Sequence, residues 1–310
     1  NTGIPISKIG SLEFIETIAK KIALRDGFGD ILAQGKARAA EVVGKGSNKL
    51  VDEHYAFKGD ESTAHDPRFL YTDGLLLATE PRVYRNQVFE TMKPLRQWLA
   101  WVKKDSSEGY VSSETWRTIA RRFLGGELAV DFSTYDGKAM AAKLIQDREA
   151  VVGSLVLCMR IWPMMEAKYT DDHVGDPTLE SKLFSLVTGK ETGKEELYRI
   201  GDSIYNLERA IRVREGHLGR QSDTLPEFYF REPLESAPEA PESLAPGKNG
   251  EIISKKGTVL DRQEFERMKD EYYQFRGWDV GTGLQTKTKL KELGLDEVAK
   301  DLEQRELIAP

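Results

Sequence analysis

The chain has 310 residues, 39% hydrophobic and 31% charged, with a formal net charge of -6. That length suits one large domain or two ordinary ones with real cores, and the acidic balance, with no Lys/Arg stripe, argues against a nucleic-acid partner. No apolar run reaches the roughly 18 residues a membrane helix needs, and no basic-then-apolar leader opens the chain, so neither a membrane span nor secretion is expected.

Hydrophobic periodicity predicts helix after helix. Ser11 is a plausible cap for the first, with Leu12, Ile15, Ile18, Ala19 and Ile22 on one side and a stop at Gly27. Asp30 caps a second, whose inner side carries Ile31, Leu32, Gly35, Ala39, Val42 and Val43. The stretch 51–71 is turn-rich. Val88, Phe89, Met92, Leu95, Leu99 and Val102 mark a third helix, with Pro94 as a kink point. Ser112 or Ser113 opens the next, which turns Trp116, Ile119, Ala120 and Phe123 inward and ends at Gly125-Gly126. A long apolar helix runs from about Tyr135 to about Val152. Asp176-Pro177 starts another, closed by Gly189. Thr192-Gly193-Lys194-Glu195 reads as a capping box ahead of Leu197, Ile200, Ile204, Leu207 and Ile211. Residues 232–257 hold four prolines and few large apolar groups, the composition of a surface excursion or linker. A helix from near Asp261 to Arg276-Gly277 and two short ones near Lys287–Leu293 and from Asp296 complete a mainly α, multi-helical fold with no convincing strand.

Four groups of residues invite a chemical reading. The lone cysteine, Cys158, follows the long apolar helix. It excludes an intrachain disulfide, which suits a reducing cytoplasm, and it cannot complete an iron–sulfur site by itself, since such clusters take four thiolates. Its bland reading is a small buried hydrophobe; its functional one is a metal ligand whose partners lie outside this sequence. His65-Asp66-Pro67-Arg68 and the run Gly74–Arg82 read first as a turn and an ion pair. Asn206-Leu207-Glu208-Arg209, Arg212 and Arg214-Glu215-Gly216-His217 sit on one helix and its exit, where Glu208 and Arg212 can pair four apart. Asp223-Thr224-Leu225-Pro226 and Tyr272-Tyr273-Gln274-Phe275-Arg276-Gly277-Trp278-Asp279 more often fill a core than hold a cofactor.

Taken in order, these segments resemble the aldehyde:ferredoxin oxidoreductase family. Gly27–Gly35 is similar to its "G-x-G-D-L-L-A-E-G"; Lys58-Gly59, Asp66-Pro67-Arg68 and Ala78-Thr79-x-x-Arg82 to its "K-G … D-P-R … A-T-S-x-R-G". Asn206-x-Glu208-Arg209, Arg214-Glu215-Gly216, Asp223-x-Leu225-Pro226 and Tyr272-Tyr273-x-x-Arg276-Gly277-Trp278 match its carboxy-terminal run. Each is weak alone and strong in register, from about residue 11 to 298.

The resemblance implies a role for this chain as the carboxy-terminal helical domains 2 and 3 of a tungsten or molybdenum bis-pterin oxidoreductase. Residues 1–85 would be the remainder of domain 2, and 86–310 domain 3. Members hold a [4Fe-4S] cluster beside the pterin metal and pass electrons to a low-potential, ferredoxin-like carrier, in an anaerobic setting. Three cluster cysteines belong to an upstream amino-terminal, pterin-binding part, on the same chain or a separate subunit of an oligomer. The fourth ends a "D-x-x-G-L-C" motif, which Leu157-Cys158 matches. That motif's Asp, a pterin contact in relatives, is Gly153 here, and its Gly is Val156. Asn86 falls about where aldehyde-active relatives carry a His, and Asn cannot exchange a proton near neutral pH. The first expectation is an aldehyde/carboxylate pair as substrate. A second is the branch that reduces the ring of benzoyl-coenzyme A, with Arg85, Arg121 and Arg122 as candidates for thioester-carrier phosphates. A third, of another class, is a metal-free helical scaffold. The segment Lys93–Phe132, with Trp98, Trp101 and Trp116, is expected to remodel a substrate channel.

Overall fold

The computed structural model describes all residues except 1, 55, 58–59, 62–64, 81–88, 105–108, 159–161, 163–164 and 238–239. Among the described residues there are thirteen α-helices: α1 Leu12–Leu24, α2 Phe28–Leu32, α3 Lys36–Val43, α4 Ser47–His54, α5 Tyr71–Thr79, α6 Phe89–Val102, α7 Ser113–Phe123, α8 Lys138–Ser154, α9 Leu179–Thr188, α10 Lys194–Arg214, α11 Arg262–Arg276, α12 Lys287–Glu292 and α13 Asp296–Gln304. Two antiparallel ribbons accompany them: β1 Ala56–Phe57 with β2 Asp60–Glu61, and β3 Leu244–Pro246 with β4 Ile252–Ser254. The chain divides into a small unit, Asn1–Thr63 with Pro226–Phe228, and a large one, Ala64–Leu225 with Tyr229–Pro310. Helix α5 therefore belongs with the large unit: all nine of its residues are buried, and it packs on α8 and α11.

In the small unit the Ser11 hydroxyl caps α1 by accepting the Phe14 N–H at 3.2 Å. The apolar stripe of α1 forms but is not buried, with Leu12 and Ile15 exposed. The single second helix expected from Asp30 to Val43 is two helices. Gly35, at φ 91°, breaks it and caps α3; a left-handed backbone of this kind favours glycine. Asp30 lies inside α2, whose cap is Gly27.

The large unit is built around α8, which contacts α5, α10 and α11. Helix α10 crosses α8 at Gly201, where an added Cβ would meet the Asp147 carbonyl oxygen at 2.1 Å. Of the expected inner stripe of α10, only Leu197 is buried. Ile200, Leu207 and Ile211 are exposed, while Asp202, Tyr205, Asn206 and Arg209 are buried. Charges on α11 and in the loop at residue 223 explain the rotation: Asp202 faces Arg276 and Arg209 faces Asp223, and both would lose those partners if turned to water. No capping box forms at Thr192 either: Gly193 is the cap position of α10, and the Thr192 N–H goes to Ser185 Oγ at 3.0 Å.

Ser112 caps α7 through the Thr115 N–H at 3.0 Å. Trp98 and Trp116 are buried, with rings 6.1 Å apart, and Trp116 meets Phe132 edge-on at 5.7 Å. Trp98 and Trp116 belong to this unit's core, and Trp101 alone of the three is exposed. Residues 232–257 are more than an excursion. Leu234, Ala237, Ala240 and Ala245 are buried, and the β3–β4 ribbon is pinned by Lys255. That side chain is 3% exposed; its Nζ donates to Phe132 O at 2.8 Å and lies 3.8 Å over the Tyr71 ring.

Candidate functional site

The carboxy-terminal motifs converge on one buried polar network. Arg209 and Asp223, both with fully buried side chains, pair at 2.6 Å. Tyr273 Oη donates to Asp223 Oδ2 at 2.7 Å, and the Arg209 guanidinium lies 4.7 Å over the Trp278 ring. Trp278 Nε1 donates to Asn206 Oδ1 at 2.8 Å. Arg276 reaches Asp202 at 2.8 Å, Asp147 on α8, and Gln146 Oε1 at 2.8 Å. Burial works against the charged guanidinium of Arg276, and the carboxylates of Asp147 and Asp202 overcome it, holding this group well above its ordinary pKa. The groups named here bind one another. The network can hold a fold together; it presents no open coordination position.

Several other arginines are likewise tied to this chain's own groups. Arg68 forks onto Asp66 at 2.7 Å and donates to Glu232 O at 2.8 Å. Arg121 pairs with Glu114 at 2.8 Å and also with Glu127, and Arg122 pairs with Asp172 at 2.9 Å. Arg212 pairs with Glu215 at 2.9 Å, three residues on. Arg85 and Asn86 lie outside the described residues, as do Lys58, Gly59 and Arg82.

Gly153, Leu157 and Cys158 lie together at the carboxy-terminal end of α8. The helix closes with paired bonds of the Schellman type: Val156 N–H to Gly153 O at 3.1 Å and Leu157 N–H to Val152 O at 3.0 Å. This closure requires a left-handed residue at position 156, and Val156 takes it at φ 58° with 92% of its surface exposed. Turning the chain here carries Cys158 off the helix and onto the surface, where its thiol is exposed. The reading of Cys158 as a core hydrophobe is therefore set aside. Gly153 is exposed too, and an added Cβ would meet nothing within 4 Å. The space beside the helix end is open, and this chain places no carboxylate in it from position 153.

Among the described residues no group of three or more His, Cys, Asp or Glu is placed to hold a metal ion. Among the described residues the donor at this helix end is the single thiol of Cys158, which would fit one corner of a shared cluster. Three linked side chains, Trp162, Glu180 and Arg148, escaped sequence reading. Trp162, four residues after Cys158, donates its indole Nε1–H to Glu180 Oε1 at 2.9 Å, and Arg148 Nη2 donates to the same oxygen at 2.7 Å.

Comparison with known proteins fits this arrangement. Residues 1–295 match the sequence family described as aldehyde ferredoxin oxidoreductase, domains 2 and 3, and the chain belongs to that family. It is 28% identical over 295 residues to a tungsten-containing aldehyde ferredoxin oxidoreductase of Pyrococcus horikoshii, covering 94% of this chain and 38% of the relative. It is 26% identical over 294 residues, with the same coverage, to the protein of that name from Thermococcus kodakarensis. The chain thus spans less than two-fifths of the length of these relatives. Its fold is similar to a chain in the active-site complex BamBC of benzoyl-coenzyme A reductase, solved with 1,5-dienoyl-coenzyme A. That match has a TM-score of 0.58 and 19% identity, and covers 98% of this chain and 43% of the other. The mainly helical fold expected from the sequence is the fold observed. No helix among the described residues is long and apolar enough to cross a membrane.

Proposed function

We propose that this chain is the carboxy-terminal part of a tungsten-dependent oxidoreductase and gives Cys158 as the fourth ligand of a [4Fe-4S] cluster shared with a pterin-binding part. The observation that carries the reading is the exposed thiol at the turned-out end of α8, in the family's motif position. A bound cluster of this kind supplies one-electron transfer between a pterin-held metal and a ferredoxin-like carrier. The chain's own contribution is a fixed thiolate and a rigid helical support, with α8 locked by Arg276–Asp147 and the α10 contacts. Tungsten is preferred to molybdenum because the relatives named above are tungsten-containing.

An aldehyde/carboxylate pair is the first substrate reading, following the relatives. The ring-reducing reading takes support from Asn86, where an acid/base histidine would otherwise stand. Against it, Arg121 and Arg122 are already paired with carboxylates and are not waiting for phosphates. Elemental analysis of the assembled protein tests the class. Tungsten and about four irons per chain support the reading; a stable, metal-free assembly would establish the scaffold instead. Aldehyde oxidation against benzoyl-coenzyme A reduction, assayed with a low-potential dye, then separates the substrates.

A further inference from the structure

Main-chain hydrogen bonds are recorded on either side of Cys158. Before Cys158 stands the Schellman closure at Val156. Beyond it, the Trp162 main-chain N–H donates to the Cys158 carbonyl at 2.8 Å. The Trp162 indole is in turn fastened to Glu180, on the first turn of α9, at 2.9 Å. Glu180 is itself fixed by Arg148 of α8 at 2.7 Å, with side chains 1% and 5% exposed. The Arg148 guanidinium rests 5.6 Å from the Phe123 ring centre. The second Glu180 oxygen, Oε2, is buried and accepts no hydrogen bond among the described residues. The carboxylate thus spends one oxygen on two donors, the guanidinium and the indole.

A buried ion pair adds little stability over apolar residues of the same volume. What it adds here is direction: the pair aims one oxygen at one indole N–H. An exposed turn without such a tether samples many conformations, whereas a metal ligand has to be held within about 0.5 Å of its productive place. We propose that Glu180 is a positioning residue for Cys158: braced by Arg148, it clamps Trp162, and through Trp162 the main chain on which the thiol rides. This rests on Cys158 being the cluster ligand proposed above.

Two readouts test it in the full-length protein. The first is hydrogen exchange of the peptide spanning residues 155–166 in metal-free protein, which requires no cluster. The second is the EPR signal of the reduced cluster in loaded protein. Trp162→Phe keeps an aromatic ring and removes the N–H donor together with the five-membered part of the indole, so Glu180→Ala, which leaves the indole intact, is read beside it. Trp162→Phe should speed exchange of that peptide at least about tenfold, by loss of local protection, and broaden or shift the EPR signal, with the unfolding midpoint nearly unchanged. Glu180→Ala should match it, and Glu180→Gln, which retains an acceptor oxygen, should restore most of the protection. If Glu180→Ala fails to fold, Trp162→Phe decides alone. Unchanged exchange in a folded Trp162→Phe overturns the proposal. Faster exchange in a protein with no iron at Cys158 upholds the clamp and removes the ligand reading, so the two fail separately.

Discussion

Replacing Val156 with glycine should stabilise this protein, although it deletes an apolar side chain. The left-handed conformation costs an L-residue about 1–2 kcal/mol, and a β-branched one falls at the upper end. Val156 sits there at φ 58°. The compensation its side chain offers is slight. With 92% of its surface exposed, the buried remainder is worth only about 0.2 kcal/mol, on a scale where a fully buried Val contributes about 1.5–3. Glycine returns about 0.5–1 kcal/mol through the greater freedom of the unfolded chain. The net effect is about 1 kcal/mol of stabilisation, or roughly 2–4 °C in midpoint for a unit of this size. Thermal unfolding followed by far-ultraviolet circular dichroism reads it directly. Val156→Ala is the control, since it keeps a Cβ in the left-handed region and should gain much less. A Val156→Gly midpoint equal to or below that of the parent would falsify the strained closure, and with it the account of how Cys158 is turned outward.

Other expectations follow from the buried frame. Asp223→Ala leaves Arg209 charged and sealed from water, and should cost about 3–5 kcal/mol in urea unfolding; a loss under about 1 kcal/mol would mean that the pair is hydrated. Gly201→Ala drives a methyl to 2.1 Å from the Asp147 carbonyl and should cost at least about 1–3 kcal/mol by overpacking, with α8 and α10 forced apart; a neutral result would contradict the crossing. Burial, its largest cause, lowers the Lys255 ammonium from its ordinary value to about 7. Between that value and the normal lysine range the unfolded chain binds more protons than the folded one, so stability rises with pH above about 7, by at most about 1.4 kcal/mol per unit for one group. Lys255→Met should flatten the rise; an equal slope in both proteins would assign it elsewhere.

Helix existence was legible because amphipathic periodicity, Ser11 and Ser112 caps and glycine stops are local signals. Helix orientation was not. The pattern Ile200, Ile204, Leu207, Ile211 looks like a core stripe, yet α10 buries Asp202, Asn206 and Arg209, because their partners lie on α8, α11 and the chain around residue 223. No local rule anticipates a pairing across such separations. Residues 232–257 misled for a similar reason. Proline and glutamate content reads as a linker, while the anchoring comes from one buried lysine, Lys255, and small side chains such as Ala237 and Ala245. At the site, Leu157-Cys158 was visible as a motif end, and the left-handed turn at Val156 was masked by a valine where glycine would have announced it. Trp162 and Glu180, 18 residues apart, meet only in three dimensions.

Iron counted against folding in Cys158→Ser bears most directly on the proposed role. In the assembled protein, iron content and the reduced-cluster EPR signal should fall several-fold while the thermal midpoint stays within about 1–2 °C of the parent, since the thiol is exposed and little packing is lost. Full iron retention, or a loss of iron that merely tracks unfolding, would contradict it.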